Sequence, residues 1–457
     1  MDAWCPIKLL NPGGDMKKIT VSLVITFFAV ISLVVFFGSS VSAQAQTESC
    51  VSAKCHITMG KDKFVHGPIA VGDCIACHVP TSKHKFTPIT NVGALCYKCH
   101  DRVDTKKGQH KPVKEGNCTK CHDAHQSPFK FQLRADGKNL CIMCHDKKII
   151  EGKFVHGPVA VGGCSMCHNS HQADFPKLLN ATGNDACFQC HTDKAEAFKG
   201  KKFVHQPVKE KCASCHSPHA GDFKYMLKKD GLEDLCFDCH KDKKDWLAKI
   251  KVKHGGLETE KKCMACHEPH ASDYVKNLVR QPIESCNMCH DKPLDTQDGK
   301  IIDMKETLAK NKSYHGPIKQ GDCSGCHNTH GSDYYRILRK YFPPVFYAPY
   351  NLKNYELCFN CHEKTIVQDA KTTTLTGFRN GDENLHFVHV NKEVKGRTCR
   401  ACHDAHATNN PKHIRDAVPF GAWGLPVGFT KTQNGGACLP GCHQKFDYDR
   451  IKAVKNR

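Results

Sequence analysis

The feature that most constrains this chain is a short phrase repeated thirteen times, Cys-x-x-Cys-His. The copies end in His78, His100, His122, His145, His168, His191, His216, His240, His267, His290, His327, His362 and His403. Two cysteines at i and i+3 lie on one side of a helical turn, where both can bond one porphyrin edge. The histidine that follows can then face the iron from the same side, so the phrase reads as a c-type haem attachment site. Two looser copies have longer spacing: Cys50 and Cys55 before His56, and Cys438 and Cys442 before His443.

The regular copies place their cysteine pairs at Cys74 and Cys77, Cys96 and Cys99, Cys118 and Cys121, Cys141 and Cys144, Cys164 and Cys167, Cys187 and Cys190, and Cys212 and Cys215. They continue with Cys236 and Cys239, Cys263 and Cys266, Cys286 and Cys289, Cys323 and Cys326, Cys358 and Cys361, and Cys399 and Cys402. With the loose sites this uses every cysteine of the 31 except Cys5. Disulfides or structural zinc would not require a histidine after every pair.

Of the 31 histidines, those outside the motifs are His66, His84, His110, His125, His156, His171, His205, His219, His254, His270, His315, His330, His386, His389, His406 and His413. About fifteen haems closed on their second face by histidine need about fifteen such residues, one fewer than this set holds. His386 and His413 compete for the last place. Paired imidazoles give a six-coordinate iron that passes electrons and has no open position, with low potentials throughout.

The motifs come in pairs. Seven modules have first units starting at Cys74, Cys118, Cys164, Cys212, Cys263, Cys323 and Cys399, each followed by a second unit. A lone histidine precedes each first unit after the first residues of the module, as in FVHGP at His66 and His156. A trailing histidine follows three residues after the motif histidine at His125, His171, His219, His270, His330 and His406. The first module departs from this, with His84 six residues beyond His78. His168 and His171, at i and i+3, share one side of a turn and cannot clasp opposite faces of one haem. The trailing histidines are therefore expected to serve a neighbouring haem, while the upstream ones could serve their own module or the previous one. Such repetition predicts an array growing in one direction.

The fold expected is mostly irregular with short α-helices, an extended array organised around covalently bound haems with little β structure. One longer helix is expected near residues 304–310. Only 8% of residues are aromatic, too few for a conventional core at this length, so haems are expected to fill the interior. Three regions are expected: a signal peptide over 1–43 (or a retained anchor at the apolar run 21–37), compact repeats over 44–300, and expanded repeats over 301–457. The expansions include a tyrosine-rich stretch, 334–355, suited either to haem packing or to a partner surface. The formal charge of +20 falls to about +4 once the leader is removed and about fifteen oxidised haems and their propionates are counted, which removes the case for a nucleic-acid partner.

The pattern from His156 to His191, HGP…CxxCHxxH…CxxCH, resembles the multihaem c-type cytochromes with doubled CxxCH motifs, related to the cytochrome c3-like and decahaem periplasmic families. The resemblance spans residues 50–403. It implies haem c and iron as cofactor, no catalytic residue, and respiratory electron transfer from the periplasm towards the outer membrane or extracellular acceptors. The partners implied are a periplasmic or inner-membrane donor and an outer-membrane porin–cytochrome complex, a metal oxide or another external acceptor, with self-association left open. The alternatives carried are a multihaem reductase of a small oxyanion and a cytochrome anchored in the inner membrane.

Overall fold

The computed structural model describes residues 50–51, 55–296 and 298–456. The leader read at 1–43, with the run 21–37 and Cys5, lies outside the described residues. Residues 57–457 form one compact unit, and the segment up to His56 is a separate one in which Cys50, Cys55 and His56 are exposed. Among the described residues no helix is long and apolar enough to cross a membrane.

Short helices carry the motifs. Second units sit on single α-helical turns such as Val92–Cys96, Gly137–Ile142 and Pro282–Asn287. First units sit on 3₁₀ turns such as Cys74–Ala76, Cys164–Met166 and Cys399–Ala401. Side-chain oxygens hold several of these turns at their start: Asp73 accepts from the Ala76 N–H at 3.2 Å and Asn91 from the Ala94 N–H at 2.8 Å. Such caps satisfy donors that a one-turn helix would otherwise leave orphaned. A helix forms at the expected place, Met304–Lys310, capped by Asp303, but the longest helices of the described residues are Thr192–Lys199 and Lys241–Lys249.

Successive modules are joined by very short antiparallel strands. The two residues before each upstream histidine pair with the two residues after the trailing histidine of the next module. The joints are Phe64–Val65 with Gln126–Ser127, Gly108–Gln109 with Gln172–Ala173, and Phe154–Val155 with Ala220–Gly221. They continue as Phe203–Val204 with Ala271–Ser272, Val252–Lys253 with Gly331–Ser332, and Ser313–Tyr314 with Ala407–Thr408. A two-residue strand has no stability of its own, so these pairings exist only because the flanking modules hold them together.

The C-terminal part carries more β structure than the sequence suggests. Ala417–Phe420 and Trp423–Pro426 form a hairpin across Gly421 at φ +60°, and Phe429–Lys431, Gly435–Cys438 and Phe446–Asp449 form a three-stranded sheet. The central strand begins with two glycines, where a Cβ on Gly436 would meet the Tyr448 ring at 3.1 Å. Glycine in a strand interior reads as a break, yet here it marks close approach of a neighbour.

Buried apolar side chains are few and unevenly placed. Among the described residues up to 340 only Val159, Ala173 and Ala271 are buried hydrophobics, while the C-terminal part buries Phe342, Tyr355, Val367 and Val390 as one cluster. The tyrosine-rich stretch thus places Phe342 and Tyr355 in the largest side-chain core of the described residues. Elsewhere the interior is a continuous cavity of about 6880 Å³, several times an ordinary ligand pocket. It is lined by motif cysteines and histidines from end to end.

Candidate haem-binding sites

The histidines face one another in pairs, and the pairing follows one rule. Six of the seven upstream histidines lie opposite the second-unit histidine of their own module: His66 with His100 at 5.7 Å between ring centres, His110 with His145 at 6.0 Å, and His156 with His191 at 6.0 Å. The series continues with His205 and His240 at 6.2 Å, His254 and His290 at 6.1 Å, and His315 and His362 at 6.0 Å. Each trailing histidine lies opposite the first-unit histidine of the module before it. These pairs are His78 with His125, His122 with His171, His168 with His219, His216 with His270, His267 with His330, and His327 with His406, all at 6.0–6.2 Å.

The seventh module pairs differently. Its first-unit histidine, His403, instead faces His386 at 6.4 Å. The ring planes of all these pairs lie within 26° of parallel. Metal–imidazole bonds of about 2.0–2.1 Å, with roughly 1.1 Å from ring centre to nitrogen, would put two rings on one metal about 6.2–6.4 Å apart. Apart from His66 and His100, which stand closer at 5.7 Å, the separations of 6.0–6.4 Å fit a single iron between each pair of imidazoles, and the elongated cavity between them fits flat macrocycles.

Hydrogen bonds fix which nitrogen is offered. Nδ1 of His122, His168, His216, His267, His327 and His403 lies 2.8–3.0 Å from the carbonyl oxygen nine residues on, at Phe131, Lys177, Tyr225, Lys276, Arg336 and Lys412. Nδ1 of His66, His156 and His205 is 3.0 Å from the carbonyls of Ala124, Pro218 and Pro269. An Nδ1–H that donates to a carbonyl leaves Nε2 as the free ligand nitrogen. Burial also pushes the imidazoles of His254, His290, His327, His330 and His403 down, and His386 and His389 down to about 4, which keeps them neutral as ligation requires.

The carbonyls are aimed by an unusual loop that the sequence reading did not single out. Phe131, Lys177, Tyr225, Lys276, Arg336 and Lys412 all adopt φ between +54° and +63°, and the next residue is left-handed as well. Such strain in non-glycine residues persists only where the surroundings impose it. Here the turn closes back on the motif, for instance through Asp123 N–H to Gln132 O at 2.6 Å and Arg134 N–H to Cys121 O at 2.9 Å. A readable signal existed in the aliphatic residue eleven positions after the motif histidine: Leu133, Leu179, Leu227, Leu278, Leu338 and Ile414.

That loop also places His413. It is the second left-handed residue of the last loop, equivalent to Gln132 and Ile337, and its ring meets His315 edge-on rather than facing a motif histidine. His84 sits at φ +60° in the turn between Pro80–Ser82 and Lys85–Phe86. His389 is half-buried, with Nδ1 2.7 Å from the Leu385 carbonyl, and His443 is near enough to act on its charge.

The cysteines show how neighbouring sites touch. Cys96 lies within hydrogen-bonding reach of Cys118, Cys141 of Cys164, and Cys187 of Cys212. Cys236 is likewise beside Cys263, Cys286 beside Cys323, and Cys358 beside Cys399. In each pair the second unit of one module meets the first unit of the next. Burial, then the neighbouring sulfur, pushes the Cys96, Cys141 and Cys187 thiols up to about 11.

These features define a multihaem c-type cytochrome. The family profile described as the doubled CXXCH motif matches six segments, 66–105, 110–149, 156–196, 205–245, 254–294 and 315–366, together more than half of the chain. The chain belongs to that family, whose paired motifs imply covalently bound haem c with iron. It is also similar to the multiheme cytochrome MtrA of Shewanella baltica (strain OS185), with 28% identity over 224 residues. That match covers 46% of this chain and 56% of the relative's length, so the chain spans about half of the curated relative it matches.

Proposed function

We propose that the protein conducts electrons along a single file of bis-histidine haems, ordered in space as the motifs are ordered in sequence. The observation that carries this reading is the ladder of facing imidazoles, joined by cysteine contacts between consecutive units. Haem c supplies a one-electron iron couple. The chain's own residues would supply both histidine nitrogens that hold the iron at each rung, and carbonyl contacts such as that of Phe131 with His122 Nδ1 fix which nitrogen is offered. About fifteen haems are proposed, the thirteen paired rungs together with sites at Cys50/Cys55/His56 and at Cys438/Cys442/His443, the latter beside His389.

The route proposed is respiratory transfer from a periplasmic or membrane-bound donor towards the outer membrane or external acceptors, with the residues before 44 acting as the export signal. Support comes from the leader-like sequence and from the similarity to a multihaem cytochrome. Mass spectrometry of the purified holoprotein tests the count and the leader together, since each haem and the loss of residues 1–43 change the mass by known amounts. Electronic spectra test ligation: only low-spin bands, unmoved by cyanide or nitrite, are expected. A high-spin ferric band that shifts with nitrite would favour the reductase.

A further inference from the structure

The six trailing histidines are held alike, but what stands two residues before them differs. The residue directly after the motif histidine is Asp123, Asn169, Ser217, Glu268, Asn328 or Asp404. In five of the six its side-chain oxygen accepts the backbone N–H of the trailing histidine: Asp123 from His125 at 3.0 Å, Asn169 from His171 at 3.0 Å, Glu268 from His270 at 3.3 Å, Asn328 from His330 at 3.4 Å, and Asp404 from His406 at 2.9 Å. That structural task is met equally by an amide or a carboxylate. The three acids do something more. Their oxygens also reach Nδ1 of the ring, at 3.6 Å for Asp123 and His125, 3.2 Å for Glu268 and His270, and 3.5 Å for Asp404 and His406.

A carboxylate on the outer nitrogen of a metal-bound imidazole makes the ring a stronger donor and favours the higher charge on the metal. Of the other axial histidines with a resolved Nδ1 partner, His386 meets the neutral Thr376 hydroxyl at 3.1 Å and the rest use a neutral backbone carbonyl. We infer that Asp123, Glu268 and Asp404 are positioning residues that lower the reduction potential of the three haems held by His78/His125, His216/His270 and His327/His406. The inference rests on the bis-histidine reading of these pairs. The file of haems then has three low points separated by sites of higher potential, at His122/His171, His168/His219 and His267/His330.

Neighbouring cations grade the effect. Asp404 is shared with Arg415 at 3.1 Å, and Asp123 has Arg134 at 4.0 Å. The position of Arg134 and Arg415 in the fifth module is held by Val279, whose N–H makes the equivalent bond to Cys266 O. Glu268 therefore acts without that opposing charge, and its haem is the lowest of the three.

The natural asparagines at positions 169 and 328 supply the control, because they show that the turn tolerates an amide. The test is a spectropotentiometric titration of the intact holoprotein, with haem content and spin state measured on the same samples. In the triple variant Asp123→Asn, Glu268→Gln, Asp404→Asn, three haems' worth of the low-potential α-band should move to higher potential. Glu268→Gln alone should give the largest single shift. In the reverse variant Asn169→Asp, Asn328→Asp, two haems' worth should move lower. Unchanged titration curves with full haem content and low-spin spectra would overturn the inference and leave the ligation reading standing. If the wild-type protein itself shows high-spin haem at these pairs, the ligation reading fails instead. Should the triple variant lose haem, the reverse variant decides.

Discussion

The backbone N–H of His156 donates to the carbonyl oxygen of His219 at 2.8 Å. These two histidines lie on different modules and face different motif histidines, His191 and His168, within the third module. The same bond joins His66 to His125, His110 to His171, His205 to His270, His254 to His330 and His315 to His406, at 2.8–3.1 Å. The two sites of each of the first six modules are thus clasped by a peptide contact between the histidines that face the motifs, one of which comes from the next module. The repeat cannot close on its own, and its stability rests on its neighbours.

This clasp predicts a displaced defect. His219→Ala should open the site anchored at Cys164 and Cys167, one module upstream, rather than the site at Cys212 and Cys215 in its own. Cyanide titration should find one haem equivalent of new high-spin, cyanide-binding iron with haem content unchanged. Adding Cys164→Ala and Cys167→Ala should abolish that signal. If removing Cys212 and Cys215 abolishes it instead, the pairing across modules is wrong.

The end of the ladder gives a second test. Leu385–Val390 is one short helix that carries both His386 and His389, with Asn384 accepting from the His386 N–H at 3.1 Å. It presents His386 to His403 in the place that a trailing histidine takes in the earlier modules. His386→Ala should create one cyanide-binding haem, whereas His413→Ala should create none. Equal responses from the two variants would contradict the geometry.

Much of this site was legible because its chemistry forces residue types into fixed spacing. The motif cysteines and histidines are named by their phrase, and the i, i+3 placement of His168 and His171 already pointed His171 towards another module, where its ring faces His122. What could not be read is what depends on partners far along the chain. The strand Phe154–Val155 exists only against Ala220–Gly221, and neither dipeptide announces a strand. Nor does sequence show that Lys177 and Leu178 would be left-handed, since lysine and leucine avoid that region unless a contact elsewhere imposes it. The five strands between Ala417 and Asp449 were missed because their glycines and prolines read as turns.

The left-handed loop predicts a dependence on side-chain shape rather than polarity. Lys276 has φ +57°, and its carbonyl lies 3.0 Å from His267 Nδ1. Lys276→Gly removes a Cβ conflict of about 1–2 kcal/mol while freeing the unfolded chain by about 0.5–1 kcal/mol, so thermal unfolding should move little. Lys276→Val adds a branched Cβ where φ is positive and should lower the unfolding temperature clearly, with weakened low-spin character at one haem. A harmless valine would mean the loop relaxes and does not aim the carbonyl.

Tyr355 separates packing from partner binding in the tyrosine-rich stretch. It is fully buried among Phe342, Val367 and Val390, and Cys358 and Cys399 packed beside it hold adjoining units. Tyr355→Ala should cost about 3–5 kcal/mol, as for other large aromatic truncations, and should carry haem loss in the last two modules. The hydroxyl is buried with no hydrogen-bond partner, and burial pushes its pKa up to about 12. Removing an unsatisfied buried hydroxyl relieves about 1–3 kcal/mol, so Tyr355→Phe should raise the unfolding temperature with haem content intact. A fall on Tyr355→Phe would show that the hydroxyl has a partner in the haem-loaded protein, and the stretch would then serve the cofactor through a hydrogen bond as well as through packing.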